Sequence, residues 1–143
     1  MITGMDWRLE VVVVPVSDVD RAKEFYGEKL GFPVDTDHRA GESFRVVQVT
    51  PPGSACSIVF GHGMGEGEPG SLKGLQLVVD DVAEAHAHLE AQGIGTSGLQ
   101  HFVDGVMTPG PDPEGREYGT FVFFSDPDGN SWAVQQGKRP ARP

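Results

Sequence analysis

The chain has a single cysteine, Cys56, so no disulfide can form within it. A lone thiol fits a reducing compartment. Within the apolar run "ACSIVF" it reads as an inert core residue rather than a nucleophile. Basic residues are scarce: 11 Lys and Arg stand against 21 Asp and Glu, a formal net charge of −10. Such a surface repels phosphate backbones, which argues against a nucleic-acid partner. The one basic cluster, "GKRPARP", carries Pro140 and Pro143 and reads as a disordered tail over 137–143. No apolar run approaches the ~20 residues of a membrane-spanning helix. "MITGMDWRLE" also lacks the charged start and apolar core of a signal peptide. The reading is a cytoplasmic protein with no membrane partner.

Motifs of common chemistry are missing too. There is no Gly-x-Ser-x-Gly elbow, no Cys–His arrangement, no phosphate loop and no dinucleotide fingerprint; "GHGMGEGEPG" has the wrong glycine spacing. The "DPD" pair, Asp126 and Asp128, is framed by Pro127 and Gly129 and reads as turn chemistry rather than an acid dyad.

What is plentiful is punctuation, with 20 Gly and 11 Pro between short apolar runs. This implies a strand-rich single domain, a size of chain that buries about two-thirds of its unfolded surface. "LEVVVVPV" (9–16) is followed by "SDVDRAKEFYGEKLGF", in which Ser17 or Asp18 caps a helix striped by Val19, Ala22, Phe25, Tyr26 and Leu30 and stopped by Gly31. "LQLVV" (75–79) leads in the same way into a helix striped by Val82, Ala85, His86 and Leu89 and stopped by Gly93. Shifting the numbering by 63 maps Val16, Asp18, Val19 and Ala22 onto Val79, Asp81, Val82 and Ala85, which points to an internal duplication. Three strands follow each helix: "FPVDTDHR", "SFRVVQV" and "ACSIVFG" in the first half, "SGLQHFV", "YGTFVFFS" and "NSWAVQQ" in the second. The fold class is α+β: two βαβββ modules, about 7–60 and 73–136, joined by a Gly-rich linker at 61–72.

On "VPVSDVDRAKEFYGEKLGF", "LVVDDVAEAHAHLEAQGI" and above all "FSDPDGNSWAVQ", the chain resembles the vicinal-oxygen-chelate superfamily of glyoxalases, extradiol dioxygenases and bleomycin-type resistance proteins, over about residues 7–136. The resemblance implies curved sheets that form a cup with helices on the outer face, a homodimer, and in metal-dependent members one ligand on each of four strands. Carried over, with Gly53 aligned to Gly129, those positions fall on Val11, Ser57, Gly74 and Ala133. Hydrocarbon side chains and a lone hydroxyl are no ligand set for a divalent cation, so the expectation is no metal and no cofactor.

Strand alternation then sorts the faces. Leu75, Leu77, Val79, Trp132 and Val134 face the helix. The expected cup lining is Val11, Val13, Ser57, Val59, Gln76, Ser131 and Gln135, with Val78 and Ala133 beside them. Gln76 and Gln135 either orient a ligand or bond each other. The long segment at 104–119 adds Met107 and Tyr118 as lining, with a disordered tip from Asp112 to Gly115, and His101 is placed on the cup face. "HAH" is no chelate, since helix residues two apart point about 200° from each other.

The functional expectation is a metal-free binder of a small molecule. It would sequester an aromatic, drug-like compound, and the net charge favours a cationic one. The residues leave open a lyase, isomerase or dioxygenase-type enzyme, using acid–base groups in the cup or a relocated metal site such as His101 with Glu117 or Asp104.

Overall fold

The structure, a computed structural model, describes residues 4–64 and 67–138. The chain divides into two compact units, Met1–Pro69 and Gly70–Pro143. In the first, β1 (Val11–Val13) precedes α1 (Val19–Lys23), which continues as a π-helical segment (Glu24–Lys29). Then come β2 (Val34–Ala40), β3 (Phe44–Val49) and β4 (Ser57–His62), in the sheet order β1-β4-β3-β2. The second holds β5 (Leu75–Val79), α2 (Val82–Ala91), β6 (Thr96–Val103), β7 (Val106–Pro109), β8 (Thr120–Ser125) and β9 (Ser131–Gln136), in the order β5-β9-β8-β6-β7. In each unit the first strand runs parallel to the last and the remaining pairs are antiparallel. Among the described residues no helix is long and apolar enough to cross a membrane.

The helix starts follow from their caps. Asp18 accepts the Arg21 N–H, and Asp81 accepts those of Ala83 and Glu84, so both duplicated aspartates cap as expected. Gly31 (φ +84°) and Gly93 (φ +74°) supply the left-handed residue that ends each helix. In the first unit the i→i+5 bond from the Leu30 N–H to the Phe25 carbonyl defines the π turn, and the adjacent Phe25 and Tyr26 are both buried there.

Each sheet buries one face against its helix. In the first, Ile58, Phe60, Val47 and Val49 pack with Val14, Ala22 and Tyr26. In the second, Val122, Phe124, Trp132 and Val134 meet Val82 and Leu89. Trp132 is 3% exposed and stacks on Phe124, so it is core and not a ligand platform.

Four features depart from the sequence reading. β1 is short because Pro15 has no N–H to continue the ladder. Residues 104–119 are not one long loop: Asp104 (φ +49°) and Gly105 (φ +79°) form a two-residue turn that folds β7 back on β6, the hairpin that an Asp-Gly pair between apolar residues favours. The tip beyond it is ordered. The Asp112 carboxylate accepts the Glu114 and Arg116 N–H groups and the Arg116 guanidinium, which holds it well below its ordinary pKa of 3.8. Finally, the stretch read as a linker is partly strand, since β4 runs to His62, and Gly137 at the start of the expected tail is buried and donates to the Val79 carbonyl. The rest of that tail, residues 139–143, lies outside the described residues.

"SDPDGN" is the clamp of the second unit. Asp126 accepts the N–H groups of Asp128 and Asn130 and the Asn130 amide, while the Asn130 Oδ1 accepts the Leu72 N–H. Gly70 closes against this turn, where a Cβ would lie 2.0 Å from the Asp128 carbonyl oxygen. The chain leading into β5 is thereby fixed to the start of β9.

Candidate functional site

Opposite its helix, each sheet presents an open face. In the first unit Val11 pairs with Ser57 and Val13 with Val59, and Gln48 lies across from Val59, so these side chains share that face as alternation requires. Ser57 is buried. Its Oγ is 2.6 Å from the Thr50 hydroxyl, and the Gln48 amide reaches it at 3.4 Å.

In the second unit the register places Gln76, Val78, Ala133, Gln135, Phe121 and Phe123 together. The face continues across β6 and β7 through Phe102 and Met107. Gln135 donates to Gln76 at 2.6 Å, so the two amides orient each other. Phe121 and Phe123 stack nearly parallel with centroids 6.0 Å apart, and Phe102 meets Phe121 edge-on at 5.5 Å. The result is a ladder of three phenyl rings with Phe102 46% exposed, bordered by half-exposed Met107. A groove of about 520 Å³ opens at one end of this face, where Gly74 and Ala133 add no bulk beside Phe123, Ser125 and Ser131. Ser131 accepts the Gly74 N–H through its Oγ.

Two expected lining residues lie elsewhere. His101 pairs with Thr120, next to the Leu99–Val122 pair, and is therefore on the helix-bearing face. It is buried, with Nδ1 2.7 Å from the Gly110 carbonyl oxygen, and it holds the segment after β7 in place. The expectation failed because β6 has a register irregularity between Thr96 and Leu99, and parity cannot be carried through that from sequence. Tyr118 adopts φ +60° and packs its ring on Gly137 at the sheet's end, outside the ladder.

The metal positions also shift. The pair equivalent to Val11–Ser57 is Gln76–Ala133, so Gln76 and not Gly74 takes the place on β5. The duplication offset is 65 between β1 and β5 and 63 at the helix caps, the two additional residues of the first copy falling where Pro15 ends β1. The pair in the first unit thus carries a hydrocarbon and a hydroxyl engaged by Thr50, and the pair in the second a hydrocarbon and an amide oxygen engaged by Gln135. Neither pair offers the donor set that a divalent cation takes. Among the described residues no group of three or more His, Cys, Asp or Glu side chains could hold a metal ion, and His101 lies on the helix-bearing face.

Residues 8–134 match the model of the glyoxalase/bleomycin resistance protein/dioxygenase superfamily. The chain belongs to this superfamily. It is similar to TnmS3, an antibiotic binding protein from Streptomyces sp. CB03234, with 33% identity, a TM-score of 0.75, and 95% of this chain and 100% of that one covered. A glyoxalase/bleomycin resistance protein from the same strain is 35% identical, with a TM-score of 0.70 over 90% of this chain and 100% of that one. YetH, an uncharacterized protein of Bacillus subtilis (strain 168), is 26% identical over 90% of this chain and 98% of its own. The α+β architecture of two open, curved mixed sheets agrees with these superfamily neighbours.

Proposed function

We propose that this superfamily member is a metal-free small-molecule-binding protein that sequesters an aromatic, drug-like compound. The observation that carries the reading is the phenyl ladder of exposed Phe102 and part-exposed Phe121 and Phe123, on a sheet whose metal position at Ala133 offers no donor. Flat rings stack on such a ladder with about 0.5–1.5 kcal/mol per aromatic pair beyond the area they bury. The likeness to an antibiotic binding protein at 33% identity supports the same reading. The open face of the first unit carries Val11, Val13, Ser57 and Val59, and that of the second carries Gln76, Met107, Ser131 and Gln135, which supports a binding role for these side chains. A homodimer fits the exposed apolar side chains Met5, Trp7 and Leu9 near the N-terminus, of which Trp7 is 85% exposed. A cytoplasmic location fits the free Cys56.

The test is incubation of purified protein with a panel of polycyclic aromatic antibiotics, followed by mass analysis of bound and free compound. Recovery of a tightly bound compound with its mass unchanged is the expected result, and a changed mass with turnover would make the protein an enzyme. Phe121→Ala, which removes the middle ring, is expected to weaken binding about tenfold or more in a calorimetric titration.

A further inference from the structure

Asp35 and Asp37 stand two apart in β2, and in a regular strand their side chains would point the same way. Here they serve opposite faces. Asp37 turns to the helix, where Arg45 and Lys23 bind it. Asp35 turns to the open face, where its Oδ2 accepts the Thr50 hydroxyl and lies 3.4 Å from the Gln48 amide. The cause is a β-bulge: Val34 pairs with Val49 but Thr36 with Gln48, so one additional residue of β2 falls between those pairs. A bulge re-aims a side chain at the cost of ladder regularity.

The re-aimed carboxylate ends a relay. With Thr50 donating to Asp35, the 2.6 Å contact between Thr50 and Ser57 requires Ser57 to donate to Thr50. Both hydroxyl protons are thus directed toward Asp35, which leaves the Asp35 Oδ1 as the outward acceptor of the cluster. No described residue donates to the Asp35 Oδ1. β2 is exposed along its whole length, so the carboxylate is accessible. Beyond Gln48 and Ser57, the same face of the sheet becomes hydrocarbon on β4 and β1, with Val59, Val11 and Val13.

We infer that Asp35, held by Thr50 and Gln48 at the bulge, is a recognition site for a protonated amine carried on an apolar body. The inference rests on the small-molecule-binding reading and adds the chemical group that is read. A fixed carboxylate beside hydrocarbon complements an ammonium or amidinium with an apolar scaffold, and charge-assisted hydrogen bonds are about twice as strong as neutral ones. The net charge of −10 attracts the same class of ligand at long range, whereas Asp35 would select it at contact.

The probes are 9-aminoacridine, a cation at neutral pH, and acridine, a neutral ring system of the same shape. Fluorescence titrations use the full chain, Asp35→Asn and Thr50→Val, each checked for an unchanged thermal melt. The expected result is about tenfold tighter binding of 9-aminoacridine to the wild type, with the preference lost in Asp35→Asn, reduced in Thr50→Val, and acridine affinity unmoved. If both probes bind but the preference is absent, or survives in Asp35→Asn, the amine site is wrong while aromatic binding stands. If neither probe binds the wild type, the aromatic-binding reading fails and this inference goes with it.

Discussion

Replacing Asp37 with alanine is expected to lower the unfolding free energy by about 3 kcal/mol, as breaking a buried ion pair from one side does. Arg45 is a charged side chain only 5% exposed, on the sheet face that packs against the helix. Asp37 binds it through two parallel contacts of 3.0 and 2.9 Å and also receives Lys23 at 2.8 Å. The other partner of Arg45, Asp20, is 79% exposed and cannot compensate alone. Denaturant unfolding at neutral pH checks the magnitude. A second change, Arg45→Met in the Asp37→Ala background, is expected to recover part of the loss, because it removes a buried charge left with only the exposed Asp20 and keeps the stem's packing.

The same network sets a pH dependence. Hydrogen bonds from Arg45, and then from Lys23, hold the Asp37 carboxyl well below its ordinary 3.8. A depressed carboxyl contributes stability that is fully present above the unfolded-state pKa and is lost as pH falls toward the lower folded value. Wild type should therefore lose stability as pH drops below about 4, and Asp37→Ala should lose less over the same interval.

Asn130→Ala is the second large effect, an expected loss of roughly 3 kcal/mol. Asn130 is fully buried and bridges Asp126 to the Leu72 N–H with bonds of 2.8 and 3.0 Å. Truncation removes the amide hydrogen bond to Asp126, takes away the acceptor of the Leu72 N–H and loosens the chain that leads into β5. Asn130→Asp, of equal size, sets two carboxyl groups against each other, so its deficit relative to wild type should be larger at pH 7 than at pH 4. Thermal melts at the two pH values read this out, and a pH-independent deficit would contradict the bonding assigned to the turn.

These effects show which parts of the molecule were legible in the sequence. The duplicated Asp18 and Asp81 caps, the strands of both units and the core placement of Trp132 follow from short-range periodicity, which side-chain direction obeys wherever the backbone is regular. The misses cluster at irregularities. Pro15 inserts two residues of drift between the copies and moves the β5 position from Gly74 to Gln76. The irregularity after Thr96 turns His101 to the helix. The bulge at Asp35 separates two aspartates that alternation would have paired. The β7 hairpin does carry a sequence signal, the Asp104-Gly105 turn between Val103 and Val106, inside the segment whose length alone suggests a loop. Ordering of the tip around Asp112 depends on Arg116 returning to its carboxylate, a contact that spacing alone does not reveal.

The most direct measurement of the central claim is elemental analysis of protein purified without a metal-affinity tag, then equilibrated with Mn²⁺, Fe²⁺, Ni²⁺ or Zn²⁺ and desalted. Val11, Ser57, Gln76 and Ala133 predict far less than stoichiometric metal in every case. One tightly held divalent ion per chain, lost when Gln76 is replaced by alanine, would contradict it.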